Sequence, residues 1–597
     1  MTTVLGLGTE EDSGAAIVID GRIVAAVNEE RLCRLKMAMG FPHQSLREVL
    51  RLAGIPMADV DHVLIGGTHE IFIPGLSAFD GWFQYTPRGI GGRIKRAAAR
   101  FSGLSAAIPA LDKAYYAALA PSFANRRREI RRILQRDHNV RCPIDFVDHH
   151  FCHIAGAYYT SGFRDALICS VDGGGDGKSS SIYAARNGRL ERLHETRAFD
   201  SLGNYYAYIT HLCGFKAMRH EGKITGLAAH GEPRYVPLFR EFIDEENGTL
   251  INRGGAVFGE AIRRLEQRLP RGWTREDLAA SIQRHFEDVT TRYVGHWARR
   301  TGLSDVAVAG GVFANVRVNE EVWRLPEIAR VFVHPGMTDV GLAVGAALAG
   351  CAQGVLPRAM PSDPEPIRDV YLGPTIEHRD VEEAMSRHAL RPEALNDGLP
   401  VTIARLLAEG YVVARAAGRM EYGPRALGNR TIMYQPTDPD VNDWLNRNLR
   451  RTEFMPFAPA VLHGERARCF GDMTGAEHSA EFMTMTFHCT PWMQASMAGV
   501  VHLDGTARPQ LVRADRNPEF YAIVDAFHDR TALPAVINTS FNMHEEPIVC
   551  SADDAVRAFL DGHLDYLALG EHLIRHPAGV RHPLKPVGAR RPSAAPV

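Results

Sequence analysis

Residues 166–177 read ALICSVDGGGDG. The first six, from Ala166 to Val171, are apolar or small and read as a short, fully buried strand. The run ends in Asp172-Gly173-Gly174-Gly175-Asp176-Gly177, and further strands follow at 179–185 and 190–194 about an Asn187-Gly188 turn. Asn-Gly favours the positive φ angles of a two-residue hairpin. The same grammar opens the chain. Val4-Leu5-Gly6-Leu7-Gly8 is a short apolar run, a polar turn covers 9–13, and residues 15–19 resume before Asp20-Gly21 and a third strand at 22–28.

Two such halves predict an α/β protein whose N-terminal part is a duplicated, ribonuclease-H-like, actin-like fold. Strand, glycine turn and hairpin also open unrelated folds, so the pattern leaves coincidence open. Between the halves, an insertion at about 75–140 holds Arg/Ala-rich helical sequence at 93–100 and 123–135. The basic run 126–132 reads as a solvated helix face, with a phosphate or tRNA contact as the alternative. Pro357, Pro361, Pro364, Pro366 and Pro374 mark a linker over 356–374. This divides the chain into an N-terminal domain 1–355, a second α/β domain 375–577 with a helix at 401–409 and a strand at 411–416, and a flexible tail 578–597.

With 68 basic and 70 acidic residues the net charge is -2, against the basic footprint of a nucleic-acid binder. The apolar fraction of 45% is that of globular proteins, which excludes a disordered chain. No stretch approaches 18 uncharged apolar residues, so no membrane span is expected. The N-terminus meets acids by Glu10 and reads as a strand rather than a signal peptide. Nine scattered cysteines without a CxxC pair fit a reducing compartment, and a cytoplasmic location is expected.

Several stretches carry chemistry. In VDHHFCH (147–153) Asp148 is placed to cap a helix, which sets His149 and His153 at i and i+4 on one face, the spacing for two imidazoles on one metal. His150 stands where HExxH would place its glutamate, so a zincin protease is not expected. At the glycine triplet, Asp172 or Asp176 can hold a cation, and the bare backbone of Gly173, Gly174 and Gly175 can approach a phosphate. Gly310-Gly311 follows the strand 306–309 and leads to Asn315 at a helix start. Asp339, between the strand 331–333 and the Ala/Gly-rich helix 340–350, stands where a further ligand is usual. In the C-terminal part Arg419, Arg425 and Arg430 fall in a turn-rich stretch, followed by Arg447, Arg450, Arg451, Arg508 and the NTSFN run 538–542. Guanidinium groups on loops with Ser and Asn donors suit a small, doubly anionic ligand. Surface ion pairing is the other reading, credible for Arg447 and Arg450.

In order along the chain, NEER (28–31), VDHHFCH (147–153), SVDGGGD (170–176), EGKITGLAAHG (221–231), AGGVFAN (309–315), EYGPRALGNR (421–430), FMPFAP (454–459) and NTSFN (538–542) resemble the NodU/CmcH-type O-carbamoyltransferases. The resemblance runs from about residue 4 to 575. It implies an actin-like (ASKHA) carbamoyl-transfer domain and a YrdC-like domain that makes carbamoyl-adenylate from carbamoyl phosphate and ATP. The carbamoyl group then goes to a hydroxyl of a small natural product, and AMP leaves. Carried over residue by residue, the family's iron(II) ligands fall on His149, His153, Asp172 and Asp339. Its carbamoyl-phosphate and ATP contacts fall on Arg425, Arg451, Arg508, Ser540 and Asn542. Gly173, Gly174, Gly175, Lys223, Gly310, Gly311, Asn315 and Arg419 complete the candidate binding positions. Glu11, Asp12, His149 and Asp172 are the candidate catalytic residues, with Mg-ATP as co-substrate.

Two departures stand out. The family's His-Asp after the first strand reads Glu11-Asp12, so Glu11 could act as a base only with a pKa raised by burial. The family's Lys-x-Arg-Glu reads Leu449-Arg450-Arg451-Thr452, and Arg450 or Arg447 would supply the missing charge. The alternative function is a tRNA threonylcarbamoyladenosine-type modifying enzyme, which the neutral charge disfavours; a sugar-kinase-like nucleotide binder is a third. Phe72, Phe79, Trp82, Phe83 and Tyr85 form an aromatic group that builds either an acceptor pocket or a satellite core. The family analogy implies a homodimer.

Overall fold

In the computed structural model, which describes residues 1–69, 75–83, 108–360, 363–449 and 457–588, the opening reads as strands β1 (Thr3–Gly8), β2 (Gly14–Ile19) and β3 (Arg22–Asn28). Asp20 and Gly21, with φ of 47° and 84°, turn β2 into β3. β4 (His62–Gly66) and β5 (Ile144–Val147) add in parallel beside β1, giving the order β3-β2-β1-β4-β5. A second sheet repeats this plan with β6 (Ala166–Gly175), β7 (Lys178–Arg186), β8 (Arg189–Arg197), β9 (Asp305–Ala309) and β10 (Arg330–Val333), in the order β8-β7-β6-β9-β10. β9 pairs in parallel with both β6 and β10. The leading strand of each half is central and almost wholly buried, as expected of strands covered on both faces.

The last strand of each sheet leads to a helix: α1 (His149–Ser161) after β5, α2 (Leu342–Ala349) after β10. The small-residue sequence of α2 has a steric cause. A Cβ on Gly345 would lie 2.1 Å from the Cys152 carbonyl oxygen in α1, and one on Gly6 would lie 2.0 Å from that of Ala343. Backbones approach that closely only where side chains are absent. The pairing brings the N-terminal ends of both helices to one place.

Four expectations need correction. The glycine triplet lies inside β6 rather than beyond it, and Asp176 and Gly177 make the turn with φ of 51° and 79°. The basic run in helix Pro109–Asp137 is only partly solvated. Arg126 is buried, donating 2.5 Å to the Thr9 hydroxyl, while Arg127 and Arg131 donate to the carbonyls of Thr68 and Ile144. Residues 365–367 are not spacer: Glu365 N–H and Ile367 N–H bond to the carbonyls of Tyr159 and Thr160. Residues 578–588 are likewise held, since Val587 N–H donates to Ala408 O, Lys585 pairs with Asp438 and Asp440, and His582 lies 2.8 Å from the buried Asp565 carboxylate. The arginine helix expected at 93–100 lies outside the described residues.

The chain forms two compact units, Met1–Glu29 with Met37–Ile367, and Glu30–Lys36 with Arg368–Val597. The short N-terminal stretch belongs with the second because of its arginines: Arg31 donates 2.8 Å to Gly423 O, and Arg34 donates to Pro547 O and Ile548 O. The second unit is built on strands β11 (Val413–Ala416), β12 (Arg430–Tyr434), β13 (Ala458–Leu462), β14 (Gln510–Val512), β15 (Ala535–Ser540), β16 (Tyr566–Leu569) and β17 (His572–Arg575). Their order is β14-β13-β15-β12-β11-β16-β17. Pairing is antiparallel except for β13–β14 and β11–β16. Helices Leu399–Ala408 and Pro518–Thr531 pack on one another against this sheet. Among the described residues no helix is long and apolar enough to cross a membrane.

Candidate metal centre and anion-binding loops

Asp148 caps α1 by accepting from Phe151 N–H at 3.0 Å, so the helix starts where the sequence predicts. This sets His149 and His153 in its first turns. Opposite them stand Asp172, well inside β6, and Asp339, at the turn before α2. One ligand atom from each of the four lies within 4.8 Å of the others. His153 Nε2 is 3.1 Å from Asp172 Oδ2 and 3.5 Å from Asp339 Oδ1; His149 Nε2 is 3.5 Å from Asp339 Oδ1 and 3.8 Å from Asp172 Oδ2. Donors at about 2.0–2.2 Å from one ion stand roughly 3.3–3.6 Å apart in a tetrahedron and closer in an octahedron. His149 Nε2, His153 Nε2 and Asp172 Oδ2 are buried without a hydrogen-bond partner. Buried polar atoms are rarely left so, and these fit a divalent cation.

Of the two aspartates open in the sequence, only Asp172 faces this point. Asp176 accepts from the backbone N–H groups of Thr68, His69 and His149 at 2.6–2.8 Å, which ties β6 to the ends of β4 and β5. His150 is turned away, within 2.8 Å of Ser170 Oγ and 3.1 Å of Lys178 O, and burial pushes it down to about 3. It stays neutral. At this point the neighbouring charges work against burial. Burial lowers both imidazoles, but the carboxylates of Asp339 and Asp172 outweigh it and hold His149 and His153 above their usual range. Burial likewise opposes ionisation of Asp172, yet the two imidazoles keep it well below the ordinary carboxylate range.

Glycines let the backbone close around the cluster. A Cβ on Gly175 would lie 2.2 Å from the His149 ring, one on Gly310 2.2 Å from Val171 O, and one on Gly311 3.0 Å from Asp172 Oδ1. Gly310 has φ of 100°, where other residues are strained. Gly173 faces Met218 and Asn204, and Gly174 makes only ordinary contacts. Two candidates have structural partners. Asn315 caps helix Val316–Trp323 and pairs with Gln283, and Lys223 lies over the Phe215 ring.

In the second unit one carboxylate shapes the arginine loop. Glu421 Oε1 accepts from the N–H groups of Leu427, Asn429 and Arg430 at 2.7–3.1 Å, folding 421–430 around itself. The amide of Asn538 ties this loop to two strands. Its Nδ2 donates to Ala426 O at 3.1 Å and Gln510 Oε1 at 2.7 Å, and its Oδ1 accepts from Thr431. Arg425, Arg508 and Ser540 each lie one or two residues from this node, all half-buried. Arg419 and Asn542 serve the backbone instead, Arg419 donating to Leu372 O and Gly373 O, Asn542 to Met543 O and Glu546 O. Arg430 is fully buried on carbonyls of 374, 417, 418 and 429. Arg450 and Arg451 lie outside the described residues.

The carbamoyltransferase N-terminus model matches residues 3–348, and the carbamoyltransferase C-terminus model matches 404–576. The chain belongs to the carbamoyltransferase family. Nodulation protein NolNO of Sinorhizobium fredii is 31% identical over 94% of this chain and 79% of its own. Nodulation protein NolO of Bradyrhizobium diazoefficiens is 32% identical over 72% of this chain and 79% of its own. Component A of the Acidaminococcus fermentans (R)-2-hydroxyglutaryl-CoA dehydratase covers 58% of this chain and 97% of its own at 16% identity, with a TM-score of only 0.30.

In this carbamoyltransferase the sequence reading passed over Glu10. Its Oε2 is 3.9 Å from His149 Nδ1, on the ring edge away from Asp172 and Asp339. Burial pushes the Glu10 carboxyl up to about 7 against the pull of His149, and burial with Asp339 and Asp12 drives Glu11 well above its usual range. The signal was the acidic run Glu10-Glu11-Asp12, of which the family's pattern singles out only the last two. The aromatic residues expected near an acceptor pack inward: Phe79 is buried, and Trp82 and Phe83 meet Phe258, Tyr208 and His211. Phe72 and Tyr85 lie outside the described residues.

Proposed function

We propose that this carbamoyltransferase is an ATP-dependent O-carbamoyltransferase with one half-reaction in each unit, the first actin-like (ASKHA) and the second YrdC-like. Arg425, Arg508 and Ser540, half-buried and each within two residues of the Asn538 node, would grip the phosphates of carbamoyl phosphate and ATP. Carbamoyl phosphate and water give carbamate and phosphate; carbamate then displaces pyrophosphate from ATP to form carbamoyl-adenylate. In the first unit a hydroxyl of a small natural product attacks the carbamoyl carbon, AMP leaves, and the hydroxyl proton needs an acceptor. Glu10, pushed up to about 7, is suited to take it near neutral pH, and Glu11 to hold one. His149, His153, Asp172 and Asp339 would hold a borderline divalent ion, iron(II) by family expectation, which supplies Lewis acidity at a phosphoryl or carbonyl oxygen.

The carrying observation is the cluster of two imidazoles and two carboxylates with buried, unpartnered nitrogens, in a chain matched by both family models. The test supplies carbamoyl phosphate, ATP and a panel of hydroxylated polyketides, nucleosides, aminoglycosides and guanidinium alkaloids. Pyrophosphate release that depends on carbamoyl phosphate, with an acceptor heavier by one carbamoyl group, supports the reading. ADP formation would overturn it.

A further inference from the structure

A second group of donors stands on the surface of the second unit. His378 opens helix His378–Arg387, and Glu382 lies one turn on, on the same face. Glu571 sits in the turn between β16 and β17, and His572 begins β17. His378 Nδ1 is 3.3 Å from Glu571 Oε1, and His572 Nε2 is 3.1 Å from Glu382 Oε1. The ligand atoms of His378, Glu571 and His572 lie within 4.8 Å of one another. His572 Nε2 is buried and, despite that approach, makes no hydrogen bond.

We propose that His378, Glu571 and His572, with Glu382 completing the set, form a second binding site for a divalent transition ion of the zinc class. The 3.3 Å separation of His378 Nδ1 and Glu571 Oε1 matches the roughly 3.3–3.6 Å edge of a tetrahedron of donors at about 2.0–2.2 Å from zinc, and Glu382 Oε1 stands slightly closer to His572 Nε2, at 3.1 Å. Two imidazoles and two carboxylates select such an ion over Mg²⁺ or Ca²⁺, which take oxygen donors. Each element contributes one imidazole and one carboxylate, so the ion would clasp the helix to the hairpin. None of these residues belongs to the catalytic or phosphate-binding groups named above.

The test uses untagged, full-length protein stripped with a chelator and titrated with Zn²⁺ alone by calorimetry, then with Co²⁺ to read coordination from its visible spectrum. To separate the two sites, both titrations are repeated in an H149A/H153A background. One tight zinc should remain there, with a four-coordinate Co²⁺ spectrum, and zinc should raise the unfolding temperature. Adding His378→Ala and His572→Ala should remove that zinc and the thermal shift without changing the zinc-free unfolding temperature. Each substitution alone should weaken binding at least tenfold. Equal zinc uptake with and without His378 and His572, or Mg²⁺ binding as tightly as Zn²⁺, overturns the site.

Discussion

Replacing Gly175 by alanine tests whether close backbone approach sets the metal centre. The added Cβ would lie 2.2, 2.3 and 2.5 Å from Cγ, Cδ2 and Nδ1 of His149, against about 3.4 Å for ordinary contact. The ring must therefore move by about 1.2 Å, or β6 must yield. Metal sites tolerate ligand displacements of only about 0.2 Å, so His149 Nε2 would leave bonding range. His149 is only 1% exposed and has little free space to move into. Overpacking of this kind costs roughly 1–3 kcal/mol of stability, and loss of one good ligand position should weaken metal binding by about 10–100-fold or more. Gly174→Ala is the control next door, since its Cβ would meet only Lys178 O at 3.5 Å and Ala198 Cβ at 3.6 Å. Metal content after dialysis, metal affinity by calorimetry and the unfolding midpoint are measured for both. Gly174→Ala should match wild type, while Gly175→Ala should lose metal and unfold at lower temperature. Wild-type affinity in Gly175→Ala, or equal losses in both variants, would refute the reasoning.

Arg508→Ala and Ser540→Ala should each abolish carbamoyl-phosphate-dependent pyrophosphate release with little change in unfolding temperature; wild-type release by either would remove the second unit's loops from the reaction. Glu221 is pushed up to about 7 by burial, above the ordinary carboxylate value of 4.5. The folded state thus binds the extra proton between those values, and this group's contribution to stability falls as pH rises from about 4.5 to about 7, by a few kcal/mol at most. Glu221→Gln keeps an acceptor for Met218 N–H but lacks the charge, so the two proteins should melt together near pH 4.5 and the variant should melt higher at pH 8. His582→Ala leaves the buried Asp565 carboxylate with the Val412 N–H but without its imidazole, and should cost roughly 2–4 kcal/mol in denaturant unfolding; an unchanged midpoint would show that the imidazole adds nothing at Asp565.

Much of the site was legible because local rules govern it. Asp148 as a cap fixed the helix start, and 3.6-residue periodicity then put His149 and His153 together. The hairpins at Asp20-Gly21 and Asn187-Gly188 followed from the positive φ those residues tolerate. Less legible were residues whose roles depend on distant partners. Asp172 and Asp176 are chemically alike and four apart, and only three backbone donors, Thr68 and His69 just past β4 and His149 at the start of α1, draw Asp176 away from the cluster that Asp172 joins. Arg126 reads as one more surface arginine until the Thr9 hydroxyl oxygen accepts its hydrogen bond, and Asn538 as part of a signature until it joins residues 426 and 510.

By itself the sequence determined the strand grammar of both halves, the helix that carries the histidines and the family, since each rests on short-range preference or on a run of adjacent residues. The tertiary structure decided which aspartate faces the cation, that Glu10 stands beside His149, and that Arg419 and Asn542 hold backbone rather than point outward. The deciding distances there are between residues scores or hundreds of positions apart. They are set by two glycine-faced helices meeting over two sheets of like order, and no local pattern encodes such a meeting.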